Sequence, residues 1–318
     1  MIVSIANAAI WTYLPQIKRL DAPNKTLNDI LFNAADLVVN LRGIGWDFAS
    51  KGLRLPSNPA QKMTRAGFLI HRGVLTFIYY IIYDTCAYIA PALDSGRNTF
   101  GSPKGGTLFN PSLPTRFVYL RALAVASSWC GMAIFSMEMI YTIFSLIGVG
   151  LARQRPDQWP PLFDWPFYST SMTDLWGWRW HQTFRTPFIY AGSYPVAAIF
   201  GRTGHIIGAF GFSALLHHVA LTSMGRGEHY GAMLSFVMYG VGFLLEQLWR
   251  KWTGKKPSGV LGWLWTMGWL LIWSLPMMEA WARSGYIGAW LPHAPEPYRP
   301  GMLLLPILSA FSAIPQSS

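Results

Sequence analysis

Apolar runs long enough to cross a lipid bilayer recur along this chain and constrain its fold more than any other feature. A transmembrane helix needs about 20 predominantly apolar residues. Runs close to or above this length lie at 66–91, 117–151, 204–224, 231–249 and 259–282. Shorter apolar runs lie at 1–17, 187–201 and 301–315. We therefore predict an all-α fold, a polytopic integral membrane helical bundle with about seven or eight transmembrane helices.

The composition agrees with one membrane domain over residues 1–318 better than with two soluble domains. Hydrophobic residues make up 52% of the chain and charged residues 12%, which is about half the charge content of a typical soluble protein. The net charge is +11, but the basic residues cluster in loops between apolar runs. Membrane topology and anionic lipid headgroups explain that pattern, so we predict membrane lipids and no nucleic acid as partners.

The basic loops also give an expectation for topology. By the positive-inside rule the loops 18–65, 152–186 and 250–256 should be cytosolic, although strict alternation of sides does not allow all three. We therefore expect 187–201 to be re-entrant or non-spanning. Residues 27–41 have apolar residues at helical spacing, which predicts an amphipathic helix at the interface. We expect no removable signal peptide and predict a multi-pass protein of the endoplasmic reticulum.

The run 204–224 carries Ser213, His217 and His218 at hydrocarbon depth. Ionisable residues there are costly and indicate a functional site by default. Ser213 and His217 are four residues apart and share a helix face, whereas His218 points about 100° away. A neutral imidazole in an apolar site can act as a general base. The competing interpretation is a histidine that only packs against a neighbouring helix.

A dense aromatic and basic segment, residues 171–185, precedes that run. An interfacial aromatic belt would explain its rings. However, polar groups suited to bind a substrate lie among them, and guanidinium groups suit phosphates. We predict that this segment and 204–224 form one active site. Its candidate binding and catalytic residues are Asp174, Trp176, Arg179, Trp180, His181, Gln182 and Arg185.

Other classes of site find less support in the sequence. The chain has seven histidines and no H-x-x-x-H spacing, which is too few for a di-iron membrane enzyme. A haem could use His205 and His218, but only His71 on another strong span could be the partner ligand. Cys86 and Cys130 lie in apolar runs and indicate neither a disulfide nor a metal site. We therefore predict no metal and no bound cofactor. A small-molecule transporter without enzymatic activity is an alternative, although the sequence shows no paired half-repeats of the kind found in many transporters.

Two motifs carry a resemblance to a known family. The first is D-L-W-G-W-R-W-H-Q (174–182) and the second is S-A-L-L-H-H (213–218). Their combination resembles the wax synthase-like branch of the membrane-bound O-acyltransferases. R-G-I-G-W (42–46) resembles a segment of fungal members that acetylate secondary metabolites. The resemblance extends over roughly residues 27–250, and the combination is specific although each motif alone is weak.

The resemblance implies a helical bundle with an internal tunnel in which acyl-CoA and an acceptor alcohol meet. The family's catalytic histidine corresponds to His217, with His218 as the second choice, and a second polar position corresponds to His181. Leu175, Trp178 and Ala214 depart from the family's usual Phe, Arg and Gly. The change at Trp178 removes a possible cofactor contact, and none of the three removes the expected base.

The reaction expected from this resemblance is acyl transfer to a hydroxyl group. His217 would take the hydroxyl proton and His181 would stabilise the oxyanion or hold the thioester. We expect acetyl-CoA as co-substrate, its phosphates held by the basic loops, and a hydroxylated lipophilic acceptor of the terpenoid or meroterpenoid type. The alternative is a wax ester synthase that uses fatty acyl-CoA and a long-chain alcohol. The oligomeric state is left open.

Overall fold

The computed structural model describes residues 11, 17–20, 26–49, 55–92, 105–109, 114–223, 230–286 and 298–304. Within these ranges there is no β-strand, and a single isolated β-bridge joins Arg19 and Trp46. The long helices are α1 (Leu27–Val39), α2 (Arg65–Ala92), α3 (Thr115–Gly150), α4 (Tyr194–Thr222), α5 (Gly231–Thr253) and α6 (Gly259–Arg283).

Five helical stretches of the described chain are long and apolar enough to cross a membrane. They are Arg65–Ile89, Thr115–Gly150, Arg185–Thr222, which Gly201 divides, Gly231–Thr253 and Gly259–Arg283. The predicted all-α membrane helical bundle is therefore confirmed, and the protein is an integral membrane protein. Most of 1–17 and of 301–315 lies outside the described residues, so further spans there stay predictions.

The chain divides into two compact units, each assembled from three stretches. The first unit comprises 1–58, 160–216 and 236–267, and the second comprises 59–159, 217–235 and 268–318. The expectation of one domain over 1–318 stays a prediction, and so does the internal tunnel.

In the first unit, α1 confirms the predicted amphipathic helix. Asp36 accepts hydrogen bonds from Arg19 Nη1 at 2.9 Å and from the indole of Trp46 at 2.8 Å. The opposite face exposes apolar side chains, namely those of Leu27, Ile30, Leu31 and Val38. The helix ends at Val39, and Gly43 and Gly45 follow with φ of 70° and 80°. This exposed apolar face suits an interfacial position on lipid.

In the second unit, α2 and α3 pack side by side. The hydroxyl of Thr76 donates to that of Thr142 at 2.9 Å, and Arg72 Nη2 donates to the carbonyl of Trp159 at 2.8 Å. Residues 117–151 include Gly131, a residue that can interrupt a helix. The structure shows one continuous helix, in which Gly131 lies against the side chain of Cys86.

Residues 185–200 and 202–216, which hold most of the apolar run 187–201 and the first part of the run 204–224, form the two arms of a helical hairpin in the first unit. Gly201 has φ 58° and ψ −141°, a conformation that interrupts the helix and reverses the chain. Ser193 Oγ donates to the carbonyl of His205 at 2.8 Å, so the arms run antiparallel. Gly192 and Gly208 touch backbone to backbone, where a methyl group on either would overlap the other's carbonyl. How this hairpin is placed across the membrane stays a prediction.

Candidate active site

The segment 171–185 folds as a compact turn in the first unit. The Ser171 hydroxyl accepts the amide of Asp174 at 2.9 Å and starts a short helical turn, Met172–Asp174. A π-helical turn, Leu175–Arg179, follows directly, and the amide of Trp180 closes it on the carbonyl of Leu175 at 2.8 Å. Such π-turns are rare and frequently occur at functional sites.

Asp174 and Arg179, two of the predicted binding residues, bind each other. Arg179 Nε lies 2.7 Å from Asp174 Oδ2, and its Nη1 donates to the carbonyl of Asp164 at 3.1 Å. The amide of Asp164 in turn donates to the carbonyl of Arg179 at 2.9 Å. Arg179 therefore joins the π-turn to the preceding loop, which is a structural role beside the predicted contact with phosphate.

Gln182 and Arg185 form a second pair at the end of the segment. Arg185 Nη1 donates to Gln182 Oε1 at 3.1 Å, and Gln182 Nε2 donates to the carbonyl of Trp180 at 2.8 Å. Arg185 Nε is buried and makes no hydrogen bond to any residue that the structure describes. A buried N–H of this kind is costly unless a ligand or water accepts it, which favours Arg185 as the arginine that contacts a substrate.

Aromatic rings enclose the middle of the segment. Trp176 packs on Trp180 with ring centroids 5.2 Å apart, on Tyr239 of α5 at 5.2 Å and on Phe210 of α4 at 5.9 Å. The rings of Trp180, Phe163 and Phe184 lie 5.6, 5.4 and 5.6 Å from the His181 ring. The aromatic residues therefore anchor the segment within the first unit and orient the His181 imidazole, and are not simply an interfacial belt.

The predicted residues of α4 are distributed over both units. Ser213 is buried in the first unit, whereas His217 and His218 belong to the second. Ser213 and His217 are one turn apart on the same helix, as the sequence predicts. His218 stacks on Tyr230 with ring centroids 5.0 Å apart and an interplanar angle of 17°. The pairing of His181 with His217 in one site stays a prediction.

The second unit also contains a cavity of about 460 Å³ near this histidine, and this cavity opens widely to the surface. Tyr230 lines it together with Phe109, Pro276 and Glu279. Because Tyr230 contacts both the cavity and His218, the cavity adjoins one of the two candidate bases.

Within the described ranges, no group of three or more His, Cys, Asp or Glu residues is arranged to hold a metal ion.

Glu246 contacts the segment directly, although it lies in neither of the two sequence motifs. Glu246 is buried on α5 and accepts the amides of Met172 and Thr173, the second at 3.0 Å. It also accepts the indole N–H of Trp265 at 2.9 Å. Glu246 could have been identified as a candidate because it is an acidic residue inside the apolar run 231–249. Glu138 has the same property within 117–151.

Comparison with known proteins relates the chain to one family. Residues 159–238 match the model of the membrane bound O-acyl transferase family, a region that contains the segment 171–185 and both His217 and His218. No solved structure matches the chain significantly.

Three fungal relatives cover most of this chain. Acetyltransferase ataH of Aspergillus terreus is 28% identical over 74% of this chain and 84% of its own length. Acetyltransferase spyB of Aspergillus fumigatus is 23% identical over 85% and 51%, respectively. Acetyltransferase eriL of Hericium erinaceus is 27% identical over 77% and 64%. The chain thus spans only about half to two thirds of the length of the last two. The predicted resemblance is confirmed: this chain is similar to the membrane-bound O-acyltransferases and to fungal acetyltransferases, which supports an acyltransferase enzyme.

Proposed function

We propose that this protein is a membrane O-acetyltransferase that moves the acetyl group of acetyl-CoA to a hydroxyl of a lipophilic terpenoid or meroterpenoid. The observation that carries the proposal is the matched region 159–238, which includes both predicted parts of the site. The relatives named acetyltransferases favour acetyl over a long acyl chain. An endoplasmic reticulum location is part of the same proposal.

The proposed chemistry needs one base and one donor to the oxyanion. His217 accepts the acceptor's hydroxyl proton while the oxygen attacks the thioester carbonyl carbon. His181 donates a hydrogen bond to the negative charge that develops on the carbonyl oxygen. The C–S bond then breaks, and His217 passes the proton to the CoA thiolate. The products are the acetate ester and free CoA, and no acyl-enzyme intermediate is required.

The donor and the acceptor have different candidate binding groups. In the first unit, Arg185 and Trp176 each have a buried N–H without an acceptor among the described residues, and both suit the oxygen atoms of the acyl donor. In the second unit, the cavity lined by Tyr230 and Phe109 offers aromatic walls to a lipophilic acceptor. His218, which stacks on Tyr230, is the second candidate for the base.

The test is acetyl transfer in microsomes that contain the protein, with acetyl-CoA and a panel of terpenoid alcohols. We expect His217→Ala to lower the rate by about 10²–10⁴-fold, the contribution that is typical of a general base. His71→Ala, which changes an exposed histidine of α2, is the matched control and should retain the wild-type rate.

The outcomes of this test separate the alternatives. An inactive His218→Ala variant beside an active His217→Ala variant would move the base by one residue. Wild-type rates in both variants would refute the proposed mechanism. Esters formed only from fatty acyl-CoA and long-chain alcohols would identify a wax ester synthase instead, and flux without ester would indicate a transporter.

A further inference from the structure

Glu246 is a buried carboxylate within the apolar helix α5. Only 5% of the residue is exposed, and the helix is one of the five candidate membrane spans. An ionisable group in such surroundings is costly unless hydrogen bonds compensate for the lost water. Its presence therefore requires a specific set of partners.

Those partners saturate the carboxylate and come from two other parts of the first unit. Oε1 accepts the amide of Met172 and, at 2.9 Å, the indole N–H of Trp265 in α6. Oε2 accepts the amide of Thr173 at 3.0 Å and its hydroxyl at 3.1 Å. A carboxylate offers about four acceptor sites, and these four donors use them. The side chain thus joins α5 and α6 to the first turn of the segment 171–185.

The position of this junction relates it to the proposed binding of the acyl donor. The segment whose first turn Glu246 binds also contains Trp176, Arg179 and Arg185. One turn after Glu246, α5 ends in the exposed cations Arg250 and Lys251. The carboxylate therefore fixes the segment to the end of α5 that carries the basic loop.

We infer that Glu246 is a positioning residue for the acyl donor: through the amides of Met172 and Thr173 it holds the segment 171–185 in the arrangement that binds acetyl-CoA. This inference rests on the proposed function. It assigns to Glu246 no contact with a substrate, and its effect reaches the donor only through the segment.

The decisive variant is Glu246→Gln, which keeps the shape of the side chain. An amide NH₂ cannot accept a hydrogen bond, so the N–H groups bonded to one of the two oxygens lose their acceptor. Losing such a buried bond costs enough to change an equilibrium about tenfold or more. We expect the KM for acetyl-CoA to rise about tenfold and the KM for the acceptor alcohol to stay within about twofold. A purely structural role would lower only the maximal rate, in proportion to the folded protein, and leave both KM values unchanged.

Hydrogen exchange gives a second measurement that does not depend on turnover. In Glu246→Gln we expect the amides of Met172 and Thr173 to exchange about tenfold faster or more. We also expect acetyl-CoA to protect residues 174–185 at an approximately tenfold higher concentration than in the wild type. Asp84→Asn is the matched control, since Asp84 is also a buried carboxylate that binds an arginine and a backbone amide, but in the second unit. It should change none of these quantities.

The outcomes are distinct for the inference and for the proposed function. Unchanged exchange at Met172 and Thr173 overturns the inference, and so does faster exchange with an unchanged acetyl-CoA dependence. The inference is also overturned if acetyl-CoA does not protect residues 174–185 of the wild-type protein from hydrogen exchange. If acetyl-CoA protects the wild-type protein from hydrogen exchange but no acetyl group is transferred, the proposed function is refuted. In that case the Glu246→Gln variant still decides the role of Glu246.

Discussion

At the scale of single residues, Arg179 shows how the segment 171–185 obtains a defined shape. Its guanidinium group binds the Asp174 carboxylate and the carbonyl of Asp164 at the same time. Both side chains of the ion pair are 27% exposed, so water weakens the attraction of the charges themselves. The geometric match of a planar fork to two acceptors is therefore the more important property.

This argument predicts a clear difference between arginine and lysine at position 179. A lysine has one ammonium group and cannot reach both acceptors in the same geometry. We expect Arg179→Lys to lower the rate of acetyl transfer about tenfold, as the loss of one hydrogen bond to a charged group implies. The measurement is the initial rate in membranes, normalised to the amount of protein.

Arg155→Lys provides the control for Arg179. Arg155 also pairs with an aspartate, Asp157, but its side chain is 63% exposed and the pair lies within one short loop. Its replacement should leave the rate unchanged. A wild-type rate in Arg179→Lys would show that the two-acceptor contact has no effect on catalysis.

At the scale of helices, the hairpin formed by 185–200 and 202–216 depends on small residues at its contact. Glycines let two helix backbones approach closely, and the pair Gly204 and Gly208 has the small-xxx-small spacing typical of membrane helices. Gly208 meets Gly192 across the hairpin, whereas Gly204 meets Val196 and Ala197. This contact sets the position of the arm that carries Ser213.

The hairpin predicts opposite results for two alanine substitutions on the same arm. A methyl group at Gly208 would overlap the Gly192 carbonyl, and overpacking of this kind costs about 1–3 kcal/mol. We expect Gly208→Ala to lower the Tm of the protein in detergent by roughly 5 °C. A methyl group at Gly211 would meet no atom within 4 Å, so Gly211→Ala should keep or raise the Tm. Equal Tm values would refute the close contact.

The helices were predictable from the sequence, but their partners were not. Hydropathy and length suffice for spans such as 66–91 and 259–282, because lipid requires helical backbone wherever the chain is apolar. The bonds from Glu246 to Met172 and Thr173 join positions more than 70 residues apart. No local pattern encodes such a separation. The motif 174–182 located the segment, whereas the pairing of Asp174 with Arg179 required its π-turn.

At the scale of the whole molecule, the charge distribution distinguishes the ends of the helices. The excess of basic residues gives a net charge of +11, and one basic loop follows α5 directly. Arg250, Lys251, Lys255 and Lys256 are exposed there, and none forms an ion pair with another residue in the described ranges. These cations are therefore available to anions from solution or from lipid headgroups.

We propose that this loop holds the phosphates of acetyl-CoA. Substitutions in it should therefore affect the KM for acetyl donors that carry these phosphates and not the KM for donors that lack them. Acetyl-pantetheine carries the same thioester without the phosphorylated nucleotide. The double variant Lys255→Gln/Lys256→Gln should raise the KM for acetyl-CoA about 30-fold, at about 1 kcal/mol for each of the two cations, and leave the KM for acetyl-pantetheine unchanged. Arg202→Gln is the control, because Arg202 is an exposed cation at the tip of the hairpin, about 25 Å along the arm from Arg185. An equal rise for both donors, or none for acetyl-CoA, would assign the loop to lipid headgroups and membrane orientation instead.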